Sequence, residues 1–103
     1  MTRDEIIEHL EERYPDGEFV LADGFEDAFV GVVTRFGMDP VVLYDYDKCI
    51  QILMSDDMDQ EAADEYFGFN VLGAWNGEGT PAFAMLSSEY TKKLYGETSL
   101  LVS

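Results

Sequence analysis

The chain is poor in cations, cysteine, histidine and proline. Six Lys+Arg stand against 22 Asp+Glu in 103 residues, giving a formal charge of −16 and a pI near 4.1. A surface so acidic repels phosphate, which argues against direct nucleic-acid binding and against docking on anionic lipid. One cysteine, Cys49, leaves no internal disulfide to form. With a single histidine, His9, beside it, a Cys/His zinc site lacks its roughly four ligands. Apolar stretches such as 28–33 are far too short to span a bilayer. The opening Met1-Thr2-Arg3-Asp4-Glu5 has neither the basic nor the apolar region of a signal peptide. A protein of a reducing cytoplasm is expected, without a membrane partner.

What is present suffices for a core. The composition is 47% hydrophobic and 14% aromatic, well away from the signature of disorder, and the length is that of one domain, 1–103. Residues 3–13 are expected to be a helix: Ile6, Ile7, Leu10 and Tyr14 form one stripe, Thr2 is a cap, and Pro15-Asp16-Gly17 stops it. A short strand is expected at 18–22, before the Asp23-Gly24 turn. In 28–36, Val30, Val32, Thr34 and Phe36 alternate with Phe29, Gly31, Val33 and Arg35, as two strand faces do. Residues 37–40 have turn chemistry, and 41–44 return as the second strand of a hairpin. Asp45 then caps a helix carrying Tyr46, Cys49, Ile50, Leu53 and Met54. Asp59 caps another, running to about Ala74, with Ala63, Phe67, Asn70, Val71 and Ala74 on one side. A loop at 75–81, a strand at 82–86 and a weak helix at 88–95 complete the order. The fold class expected is α+β, with three or four helices and a mainly antiparallel sheet of three or four strands.

The charge is concentrated in two places. Residues 1–27 hold ten acids and two bases, 28–55 three and two, 56–78 seven and none, and 79–103 two and two. The first helix and the 56–65 stretch therefore carry the excess, and the hairpin between them is nearly neutral. Helix neighbours three and four apart lie about 5–6 Å from one another, so like charges at this density cost stability. Duplex DNA presents one charge per roughly 3.4 Å along each strand, a spacing that rows of carboxylates can imitate. Two readings follow: a solvated surface of the kind seen in an acidic, halophile-like proteome, or a surface that competes for a basic, nucleic-acid-binding partner.

No constellation points to catalysis. Asp45-Tyr46-Asp47 and Asp56-Asp57-Met58-Asp59 do not fit an EF-hand loop, since Cys49 stands where the first needs a ligand and neither has Gly at its sixth position. Gly73–Gly79 is glycine-rich but lacks the Lys-Ser/Thr of a phosphate loop. Ser87 and Ser88 lack a nucleophile elbow. Cys49 falls among apolar helix positions as a core thiol, and His9 among surface acids. Trp75 is either core or an interface anchor. No catalytic residue, metal ligand or cofactor is assigned.

Three strings, Tyr44-Asp45-Tyr46-Asp47-Lys48-Cys49-Ile50, Glu65-Tyr66-Phe67-Gly68-Phe69-Asn70-Val71-Leu72-Gly73-Ala74-Trp75 and Gly77-Glu78-Gly79-Thr80-Pro81, resemble a family of small, uncharacterised proteins of tailed bacteriophages and prophages. The resemblance covers residues 44–83, and the Asp23-Gly24-Phe25-Glu26-Asp27 turn is similar as well. It carries no catalytic residue with it. It implies a phage context, in which small acidic proteins often inhibit host restriction or CRISPR machinery, some as DNA mimics. The leading expectation is thus a non-enzymatic inhibitor in the host cytoplasm that occludes a basic surface of a host nucleic-acid-binding protein. Its contact candidates are Glu5, Glu8, Glu11, Glu12, Asp56, Asp57, Asp59 and Glu61. The alternative is an accessory phage protein with a structural or ligand-binding role centred on 44–81, using Tyr44, Tyr46, Trp75 and Glu78. A third reading is a homodimer through the hairpin edge.

Overall fold

The computed structural model describes residues 1–74 and 77–86; Trp75 and the helix expected at 88–95 lie outside the described residues. Helix α1 (Arg3–Arg13) starts at a reciprocal capping box. The Thr2 Oγ1 accepts the Glu5 N–H at 3.2 Å, and the Glu5 carboxylate accepts the Thr2 N–H at 2.8 Å. Ile6 and Leu10, one turn apart, are its buried residues.

The strand expected at 18–22 does not form. That segment is held by side chains instead of a ladder: Phe19, Leu21 and Ala22 pack on the core. Phe19 also meets Tyr14 edge-on at 5.6 Å. The Ala22 N–H finds its acceptor in the buried Tyr44 hydroxyl, at 2.9 Å. Gly24 then turns the chain at φ +93°, into a 3-10 turn at Glu26–Ala28.

Strands β1 (Phe29–Arg35) and β2 (Met38–Asp45) form the antiparallel hairpin, joined at Phe36-Gly37 with Gly37 at φ +82°. The turn is tighter than the 37–40 expected, and β2 begins before Pro40. The residue is tolerated because the register shifts between Val33 and Arg35 at that point, and because β3 pairs only with Leu43–Asp45 further along. A second register shift lies between Phe29 and Gly31. It leaves Val30 without an opposite number and advances the alternation by one residue. Phe29 and Val32 consequently both pack on the core, although the simple period of two puts them on opposite faces, and Val30 is exposed.

Asp45 caps α2 (Tyr46–Met54), accepting the Lys48 N–H at 3.3 Å, and Asp59 caps α3 (Gln60–Phe67), accepting the Ala62 N–H at 2.8 Å. After Phe67 the helix widens into a π turn over Gly68–Leu72, closed by the Gly73 N–H on the Gly68 carbonyl at 3.0 Å. A π turn advances fewer degrees per residue than an α turn. Asn70 and Ala74, expected on the buried side, therefore face solvent while Val71 stays half-buried. The Asn70 amide nitrogen donates to the Tyr66 carbonyl at 3.1 Å.

Strand β3 (Ala82–Ala84) closes a three-stranded sheet of order β1-β2-β3. It is shorter than the 82–86 expected and runs parallel to β2, because the α2–α3 crossover returns the chain to the same end of the sheet. The fold is α+β with a mixed sheet.

The core is aromatic at its centre. Tyr44 stacks on Phe83 at 5.6 Å and meets Phe29 edge-on at 6.1 Å. Phe67 meets Phe25, Tyr46 and Phe83 edge-on at 5.9, 5.0 and 5.0 Å. Val42, Cys49, Ile50, Leu53 and Ala63 fill the space around them.

Candidate functional site

The eight carboxylates singled out in the sequence are all exposed, but they do not have equal freedom. Glu5 and Asp59 are engaged at the two helix caps. The Thr2 N–H and hydroxyl beside Glu5 hold its carboxyl below the ordinary glutamate value. The other six, Glu8, Glu11, Glu12, Asp56, Asp57 and Glu61, have no hydrogen bond or ion pair among the described residues. Asp57 takes the left-handed conformation, φ +72°, at the turn that ends α2. Aspartate adopts that region more readily than most side chains. The turn sends the chain on to the Asp59 cap, so the 56–61 stretch is built as helix end, turn and helix start in immediate succession.

Spacing organises the α1 carboxylates. Glu8 has Asp4, Glu5, Glu11 and Glu12 at i±3 or i±4, which makes it the centre of an exposed acidic face opposite Ile6 and Leu10. No hydrogen bond or ion pair among the described residues joins this face to the 56–61 stretch. The ion pair formed among the described residues is Arg3–Asp23, at the foot of α1.

The second set of candidates is dispersed. Tyr44 is fully buried, and desolvation raises its phenol above the ordinary value against the opposing effect of the Ala22 N–H. Its role is to hold the 18–22 segment to the sheet. Tyr46 is half-buried against Phe67; burial, and then neighbouring Asp64, raise its phenol. Glu78 is exposed and lies elsewhere, on a cleft of about 710 Å³ that it shares with Asp16, Glu18, Asp39, Tyr14 and Phe19. The carboxylates of this cleft come from three separate segments. Their convergence had no signal in the sequence, where 18, 39 and 78 are far apart. Cys49 is buried, and desolvation followed by Asp45 pushes its thiol up to about 12. It stays protonated and unreactive at neutral pH.

Among the described residues no group of three His, Cys, Asp or Glu side chains is placed to hold a metal ion, and no helix is long and apolar enough to cross a membrane. The chain matches no protein-family model, no curated protein and no solved structure.

Proposed function

We propose that the chain is a non-enzymatic binding protein that occludes a basic, nucleic-acid-binding surface of a bacterial host protein, acting as a phage-encoded anti-defence inhibitor in the host cytoplasm. The observation that supports this is the set of exposed carboxylates of α1 and of 56–61 that meet no cation among the described residues. Among the described residues the carboxylates of Glu8, Glu11, Glu12, Asp56, Asp57 and Glu61 form no hydrogen bond or ion pair, and like charges crowded within each block repel one another. A basic partner turns the same groups into an attractive field that speeds encounter and competes with phosphate. The phage context rests on the likeness over 44–83 and on nothing in the geometry.

The test is a pull-down from bacterial lysate on the tagged protein, eluted in salt steps and read by mass spectrometry. Release of a nucleic-acid-binding protein at moderate salt supports the proposal, because screening removes such contacts first. A partner that resists salt refutes it.

The cleft bearing Glu78 favours one alternative, an accessory role in which a ligand with a cationic group and an apolar body sits between the carboxylates and the Tyr14–Phe19 pair. In that case Glu78→Gln removes binding, and neutralising α1 leaves it intact.

A further inference from the structure

The hairpin differs in charge from the two acidic blocks on either side of it in the sequence. β1 contains no carboxylate, and its single charged residue, Arg35, stands at its end. β2 occupies one side of β1, and no strand among the described residues pairs with the other. A free row of N–H and C=O groups on a valine-rich strand is a template for another strand. Val30 and Val33 are respectively 47% and 36% exposed along it. We propose that this edge is a self-association surface on which a second copy of the chain pairs antiparallel through its own β1.

Charge complementarity selects that occupant. A two-fold axis near Val32 sets residue 29 of one copy opposite residue 35 of the other. Arg35 then reaches the start of the second copy's β1, which follows Glu26 and Asp27 after one intervening residue, Ala28. Within its own chain the Arg35 guanidinium leans on the Met38 thioether and meets no carboxylate among the described residues. Glu26 already accepts the Gly24 N–H at 2.7 Å, whereas Asp27 is exposed and has no partner among the described residues. The two-fold makes the Arg35–Asp27 contact twice. Phe36, fully exposed beside Arg35, comes down over the second copy's 3-10 turn. Two chains of −16 repel, but residues 28–55 hold three acids and two bases, so approach along the hairpin is less opposed than approach along either acidic block.

Light scattering and sedimentation over a dilution series test this. The wild-type chain is expected to dimerise as concentration rises, with amides in 29–35 exchanging more slowly in step. Arg35→Asp and Asp27→Arg each replace two attractions with two repulsions and weaken the dimer roughly tenfold. The double variant R35D/D27R restores it. Both positions are exposed, and circular dichroism verifies that each variant is folded. A wild-type chain that is monomeric at every concentration overturns the proposal and makes the irregularity at Val30 a shield for the edge. A dimer indifferent to both single reversals, or one that the double variant fails to restore, overturns it equally.

Discussion

Glu8 is the position where the cost of the acidic surface can be measured directly. Leaving out Glu5, whose carboxylate is committed to the Thr2 N–H, Glu8 has three acidic neighbours at i±3 or i±4: Asp4, Glu11 and Glu12. Each like-charge pair on a helix surface costs ~0.2–0.5 kcal/mol. Glu8→Gln removes all three pairs, for a gain of about 1 kcal/mol at low salt. Glu8→Lys converts them to attractions, for about 2 kcal/mol, or roughly 10 °C in melting temperature for a domain of this size. Neither change touches the apolar stripe, since Glu8 is exposed. Urea unfolding followed by circular dichroism at low salt and again near 1 M reads the effect. The Debye length falls to about 3 Å at the higher salt, so the gain should largely vanish there. If Glu8→Lys leaves the midpoint unchanged at low salt, or if the gain survives high salt, the carboxylates do not strain the fold and the argument from unneutralised charge fails.

Other consequences are equally concrete. Tyr44→Phe removes the acceptor of the Ala22 N–H and should cost ~1–3 kcal/mol; a urea midpoint equal to wild type would show that water replaces the hydroxyl. Gly37→Ala forces a side chain into φ +82° at the hairpin turn and should cost about 1–2 kcal/mol by the same assay. Alkali should destabilise the fold through three groups. Cys49, Tyr44 and Tyr46 all have folded values above their ordinary ones, so each contributes stability below its ordinary value that is lost as pH rises through its folded value, about 12 for Cys49. Melts across the alkaline range should fall from above about pH 9, and a flat profile would contradict the burial of these groups. At neutral pH a thiol alkylating reagent should leave Cys49 untouched until urea unfolds the chain.

Helix starts were legible because capping is local chemistry: Thr2 with Glu5, Asp45 and Asp59 each stand within three residues of the N–H they satisfy. The hairpin was legible from β-branched alternation, and the burial of Ile6, Leu10, Cys49 and Phe67 from helical spacing. What escaped was set by partners distant in the chain. Whether 18–22 becomes a strand depends on an available edge, and the Tyr44 hydroxyl took the Ala22 N–H instead. The irregularity at Val30 depends on how β1 registers with β2, and it reverses the inward and outward assignment beyond it. The parallel direction of β3 follows from the crossover, which no local pattern encodes. For the candidate site, the acidic blocks were visible as composition. That Glu5 and Asp59 serve caps, while the other six candidates are unpaired among the described residues, required coordinates, as did the meeting of Asp16, Glu18, Asp39 and Glu78 around one cleft.

Mutual exclusion between this protein and nucleic acid on a common partner is the central consequence of an occluding acidic surface. Once a basic partner has been captured, its binding to a labelled duplex is titrated with wild-type chain and with a variant in which Glu8, Glu11, Glu12, Asp56, Asp57 and Glu61 are amidated to Gln or Asn. The wild-type chain is expected to displace the duplex, and the variant, folded and at least as stable, to displace it far less. A variant that competes as well as wild type, or a partner that holds the duplex and the chain together, would contradict it.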